Sequence, residues 1–137
     1  GLQYLDLSSC TGLEDISSLS LCTGLQDLDL SDCNKLRSIA PLETCTLLEQ
    51  VCLSFCHLVT DISHLCSLTM VRHLDLTGLE LLVDITTIGS CSLLSHLNLD
   101  SCAGVIDISP LRALTKLNHL DLYYCRGVID ISPLRSC

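Results

Sequence analysis

The sequence predicts an α/β solenoid: a curved, right-handed coil with a parallel β-sheet on its concave face and short 3₁₀ or helical turns on its convex face. Three observations predict it. The nine residues GVIDISPLR occur at Gly104–Arg112 and again at Gly127–Arg135, an offset of 23. Apolar positions keep that same period along the whole chain. Hydrophobic residues make up 48% of the 137 positions, yet aromatics are only 3% and Trp is absent. A compact core of this size normally contains Phe and Trp, whereas thin, similar layers of Leu, Ile, Val and Cys need neither.

Six frames start at Leu2, Leu25, Leu48, Val71, Leu94 and Leu117 and read LQYLDLSSC, LQDLDLSDC, LEQVCLSFC, VRHLDLTGL, LSHLNLDSC and LNHLDLYYC. They divide residues 1–137 into a single domain of six 23-residue repeats, expected to be a piece of a longer array. Within each frame the xLxL segment alternates with period two, which predicts a short strand with its leucines facing inward. Stacked strands then pair in parallel at ~4.8 Å, so six units extend roughly 30 Å. A second segment follows in each frame: EDISSL, RSIAPL, TDISHL, VDITTI, IDISPL and IDISPL. Its Asp or Ser is expected to cap the free N–H groups of a tight turn, with Pro41, Pro110 and Pro133 at that turn's first position. So few residues per unit leave room for 3₁₀ turns rather than full helices.

The pattern LxxLxLxxC at this period resembles the leucine-rich repeat, with Cys in place of Asn at the anchor after the strand. The resemblance covers essentially the whole chain. Within that superfamily, Cys-x-Gly followed by DISPL is most similar to the 23-residue repeats of trypanosome leucine-rich repeat proteins, including the expression-site-associated ones. The DISPL segment also resembles bacterial internalins, whose repeat is one residue shorter and carries Asn at the anchor. The trypanosome resemblance implies a place in a larger regulatory or scaffold protein. Some of those relatives join their repeats to a RING-type zinc domain, and no such segment occurs here.

Two columns of the repeat hold nine of the eleven cysteines: Cys10, Cys33, Cys56, Cys102 and Cys125 after the strand, and Cys22, Cys45, Cys91 and Cys137 before the next one. Leu79, Leu68 and Leu114 fill the remaining positions. Exchange between Cys and Leu indicates a buried apolar slot holding reduced thiols. No CxxC pair points to zinc, and parallel Cβ vectors disfavour disulfides between stacked neighbours. The expected setting is therefore reducing and intracellular, cytoplasm or nucleus. A net charge of −9 makes nucleic acid and anionic membrane surfaces poor partners, and no apolar run approaches a membrane span.

The informative columns vary and point outward from the strands. The first reads Tyr4, Asp27, Gln50, His73, His96 and His119, and the next Asp6, Asp29, Cys52, Asp75, Asn98 and Asp121. Beyond these come Ser8, Ser31, Ser54, Thr77, Asp100 and Tyr123, then Ser9, Asp32, Phe55, Gly78, Ser101 and Tyr124. All four aromatic residues fall in these columns, and rigidly held exposed aromatics commonly anchor protein interfaces. Acidic residues gather there as well, with Arg72 the lone basic residue, which suits a basic partner segment. The expected partner-binding set is Tyr4, Asp6, Asp27, Asp29, Gln50, Phe55, His73, Asp75, His96, Asn98, Asp100, His119, Asp121, Tyr123 and Tyr124.

The row His73, His96 and His119 offers metal-donor chemistry beside Asp75 and Asp121. Duplication of a repeat accounts for it equally well, and no metal or other cofactor is assigned. No GxSxG, phosphate-cradling glycine loop or HExxH occurs, and an open sheet excludes water poorly, so catalysis is not expected. The chain therefore reads as a non-enzymatic protein–protein interaction module. Alternative readings are a structural spacer that self-associates through uncapped repeat ends, or an internalin-like surface adhesin.

Overall fold

The computed structural model describes residues 1–136. Each repeat contributes one three-residue strand and one five-residue 3₁₀ turn. The strands are β1 (Tyr4–Asp6), β2 (Asp27–Asp29), β3 (Gln50–Cys52), β4 (His73–Asp75), β5 (His96–Asn98) and β6 (His119–Asp121). The turns are η1 (Ser17–Leu21), η2 (Ala40–Thr44), η3 (Ser63–Ser67), η4 (Thr86–Ser90), η5 (Ser109–Ala113) and η6 (Ser132–Ser136). The six strands form one parallel sheet in chain order, and its register pairs Tyr4, Asp27, Gln50, His73, His96 and His119 across successive strands. That is the column predicted from the sequence. Among the described residues no helix is long and apolar enough to cross a membrane.

The core lies between the sheet and the 3₁₀ turns. Leu28, Val51, Leu74 and Leu97 point into it from the strands, Leu30, Leu53, Leu76 and Leu99 follow them, and Leu42, Leu65, Ile88 and Leu111 close it from the turns. Each fully buried Leu or Ile is worth roughly 1.5–3 kcal/mol of transfer free energy, and the same layer recurs in every coil. No aromatic side chain belongs to this core.

The capping expectation holds, with a shift in position. The carboxylates of Asp15, Asp61, Asp84, Asp107 and Asp130 accept a hydrogen bond from the backbone N–H two residues later, at 2.7–2.8 Å. Ser38 substitutes its hydroxyl, accepting from the Ala40 N–H at 3.3 Å. The residue at the N-cap itself is a buried Ile, so the capping oxygen comes from one residue further out. The same geometry corrects the proline assignment. Pro41, Pro110 and Pro133 occupy the second position of their turns, not the first. The first N–H is needed by the capping oxygen, whereas the second has no partner to lose, so only there is proline free of cost.

The described cysteines of the two columns are buried from the second repeat onward. Cys33, Cys45, Cys56, Cys91, Cys102 and Cys125 are inaccessible, Cys22 is half-buried, and all ten described cysteines are free thiols. Cys10 departs from the expectation: it is exposed, because no coil among the described residues packs on its outer side. Cys137 lies outside the described residues. The slots are also less apolar than their exchange with Leu suggested. Each buried thiol donates to a backbone carbonyl of the preceding coil: Cys33 to Leu7 at 3.4 Å, Cys56 to Leu30 at 3.0 Å, Cys102 to Leu76 at 3.1 Å and Cys125 to Leu99 at 3.0 Å. Cys45 and Cys91 reach Leu19 and Leu65 in the same way. Burial pushes the Cys56 and Cys102 thiols up to about 12.

Candidate functional site

The concave face is built from the side chains that alternate outward along β2–β6. They line a shallow groove of about 340 Å³, with Asp27 and Asp29 at one end, Gln50 and Cys52 in the middle, and His73, Asp75, His96, Asn98 and His119 at the other. Tyr4 and Asp6 continue the same two rows onto β1. The acid at the β1–β2 end is strong enough to disturb a neighbour. Asp6, partial burial, Asp27 and Asp29 together hold the Tyr4 phenol above its ordinary value.

The second outward row has a structural duty that the sequence did not reveal. Asp6, Asp29, Asp75, Asn98 and Asp121 each accept the backbone N–H of the residue two positions on, at 2.8–2.9 Å, closing the turn that ends the strand. In the third repeat the thiol of Cys52 and the hydroxyl of Ser54 make a 3.0 Å contact at that place instead. Hydrogen bonds from Ser8 hold the Asp6 carboxyl below the usual carboxylate range. These residues still face the groove, but with one oxygen committed to the backbone. The third row divides. Ser54 and Thr77 are buried, Thr77 bonding to Asp75 at 2.6 Å, while Tyr123 stands exposed.

The histidine row is a stack. The His73 and His96 rings lie 4.3 Å apart at 15°, and those of His96 and His119 lie 5.5 Å apart at 27°. Among the described residues no group of three or more His, Cys, Asp or Glu side chains converges as it would around a metal ion.

The comparisons with known proteins decide the class of this architecture. A family model for leucine-rich repeats, in two copies, matches residues 1–44. Internalin C2 from Listeria monocytogenes superposes on 97% of this chain and 56% of its own with a TM-score of 0.75 and 24% identity. The chain has the fold of a leucine-rich-repeat solenoid. A second Listeria monocytogenes internalin, inlF, gives a TM-score of 0.63 at 25% identity over 88% of this chain and 41% of that one. A leucine-rich-repeat protein from Leptospira interrogans gives 0.62 at 20% identity over 88% and 36%. The chain thus spans about half the length, or less, of these proteins. No curated protein sequence matches it. The solenoid supports protein interaction in general, because stacked repeats generate an extended concave binding surface.

The rim of the solenoid holds what the sequence reading missed. Ser9, Asp32, Phe55, Ser101 and Tyr124 have positive φ of 54–59°, and Gly78 completes the row at 75°. In the first five coils this left-handed conformation aims the N–H at the next coil: Ser9 donates to the Ser31 carbonyl at 2.7 Å, Asp32 to Ser54 at 2.8 Å and Phe55 to Thr77 at 2.7 Å. For a side-chain-bearing residue the left-handed region costs roughly 1–2 kcal/mol, and the cost is least expected of bulky residues such as Phe55 and Tyr124. The sequence signals in that column were Gly78 and, more weakly, Asp32. The missing side chain of Gly78 also seats the Phe55 ring, since a Cβ there would lie 2.5 Å from Phe55 Cδ1. His57, another residue not singled out, braces this corner by bonding the Gly78 carbonyl at 3.1 Å. Tyr124 packs edge-on against Tyr123 at 4.6 Å, with the Arg126 guanidinium 5.0 Å from its ring centre.

Proposed function

We propose that this solenoid is a non-enzymatic protein-recognition module that docks a basic polypeptide segment on its concave face. The observation that carries the reading is the charge of the groove. Asp27, Asp29 and Asp75 line it, Asp6 and Asp121 continue its second row onto the outer strands and Asp32 stands on the rim, while the basic residue at its edge, Arg72, is already paired with Glu49 at 3.4 Å. Fields of one sign over a concave, low-dielectric surface speed the encounter with an oppositely charged partner and orient it. The exposed rings of Tyr4 on β1 and of Phe55, Tyr123 and Tyr124 towards the rim add contact area that needs little ordering on binding.

A reducing environment belongs to the same reading. The buried thiols donate their protons to carbonyls, and oxidising them would remove those donors. The test is binding of a labelled oligolysine peptide by fluorescence anisotropy at low and moderate salt. Asp27→Asn with Asp32→Asn removes two charges without touching the turn-closing carboxylates, and Asn is tolerated in the left-handed conformation at position 32. Binding that weakens with salt and drops several-fold in the double variant supports the reading. Binding unchanged by both counts against it.

A further inference from the structure

The histidine stack interrupts the acidic face, and its hydrogen bonding is specific. The Ser95 hydroxyl lies 3.1 Å from the Arg72 carbonyl and 2.9 Å from His96 Nδ1. A carbonyl can only accept, so both contacts are hydrogen bonds only when Ser95 gives its proton to Arg72 and His96 gives the Nδ1 proton to Ser95. Neutral His96 is thereby held as the Nδ1–H tautomer, with the lone pair of Nε2 available as an acceptor. Protonation converts that acceptor into a charged donor.

The surroundings set which form is favoured. On either side of His96 stand other imidazoles, His73 at 4.3 Å and His119 at 5.5 Å, each able to take a positive charge of its own. The groove also presents the carboxylates of Asp75 from β4 and Asp29 from β2 and the Cys52 thiol from β3, and Asp121 continues the Asp75 row onto β6. Glu49 and Arg72 at the edge neutralise one another. The position level with Asp75 and Asp121 on His96's own strand is Asn98, so no carboxylate stands beside His96 there. Accordingly His96 is held below the ordinary histidine value, first by partial burial, then by His73 and His119.

We infer that the His73–His96–His119 stack is a release element for the bound segment: neutral, it accepts a hydrogen bond from a cationic or N–H donor of the partner at His96 Nε2; protonated, it repels the same partner. The inference rests on the basic-segment reading above. It adds a residue-level role and a direction, with binding strong at neutral pH and lost on acidification. Histidine is the side chain whose ordinary charge change falls in that interval, so the change in the field is assigned to the stack.

The experiment measures anisotropy of the labelled oligolysine peptide at about pH 7.5 and about pH 5.5, either side of the ordinary histidine value near 6.5. Affinity of the parent should fall by about tenfold or more at the lower pH, and the fall should shrink to about twofold or less in His73→Gln/His96→Gln/His119→Gln. A parent affinity that does not fall, or an equal fall in the triple variant, overturns the release element and leaves the basic-segment reading standing. No binding at either pH overturns both. Nitrogen-15 NMR of the parent at neutral pH reads His96 directly and does not depend on the variant's folding. The Nδ1–H tautomer supports the acceptor assignment, and the Nε2–H tautomer overturns it.

Discussion

Cys56 and Asp61 belong to the same repeat, and each ties down the backbone with one hydrogen bond. The Cys56 thiol donates to Leu30 at 3.0 Å from inside the core, while the Asp61 carboxylate accepts from Ser63 at 2.8 Å in full contact with water. The two are perturbed in opposite directions. Burial pushes the thiol up to about 12, whereas the Ser63 N–H holds the Asp61 carboxyl below its usual range. The contrast teaches that a hydrogen bond's worth depends on what its loss leaves behind. Without the thiol, the Leu30 carbonyl keeps only the Cys33 N–H at 3.2 Å, and no water reaches the core to replace the second bond. Without the carboxylate, water reaches the Ser63 N–H.

Chemical reactivity breaks the comparison most sharply. At about 12, Cys56 and Cys102 carry roughly three-thousandfold less thiolate than an ordinary thiol near 8.5. In a timed iodoacetamide reaction followed by peptide mass spectrometry, exposed Cys10 and Cys66 should label first. Cys56 and Cys102 should label only after denaturant is added. Early labelling of the buried pair would show that the coils open readily.

Stability comes next. Cys56→Ala should cost about 1–3 kcal/mol in urea unfolding, because it removes a buried hydrogen bond and leaves a small void in the core. Asp61→Ala should cost less than that, and a larger loss from Asp61 would reverse the ranking of the inner and outer bonds.

The pH dependence sharpens the same contrast. Cys56 and Cys102 are raised in the fold, so the stability they contribute is complete below the unfolded value near 8.5 and is lost as pH rises from there towards about 12. Asp6, Asp61, Asp84 and Asp130 are lowered, so their contribution is present above about 3.9 and is lost as pH falls through that value. His96 is also lowered, but as a base. The unfolded chain takes up its proton first, so stability should dip as pH falls through about 6.5, and the dip should disappear in His96→Gln. Urea titrations across the pH range test all three arms.

The smallest effect is expected at the rim. Ser9 has a φ of 58° and makes no side-chain hydrogen bond, so Ser9→Gly should stabilise by up to about 1 kcal/mol. Destabilisation by this change would mean that the left-handed row is not strained.

The fold was legible because one period governs every column. Once Leu2 and Leu25 were placed in phase, the pairing of Tyr4 with Asp27 followed, and the sheet continues that register to His119. The outward rows were legible for the same reason. Their bonding was not. Asp6 and Asp75 look like free surface acids in a row of letters, yet each closes a turn through an N–H that belongs to no particular residue type. The thiol bonds were hidden because Leu79 fills the same slot without donating. The left-handed row was hidden because four of its six members are Ser, Phe or Tyr, which seldom adopt that conformation, and only Gly78 and Asp32 were conventional signs.

The bonds that run from coil to coil carry a consequence for how such a chain can change. The strand, rim and thiol contacts join residues at different separations, the thiol bond spanning 26 positions, yet all close only if every coil has the same length. A single inserted or deleted residue between Leu28 and Cys56 would misalign all three at once. Whole-repeat duplication or loss leaves each of them intact. The molecule's length is therefore quantised: it can be edited by the coil, and the near-identical fifth and sixth DISPL segments are what such an edit leaves in a sequence.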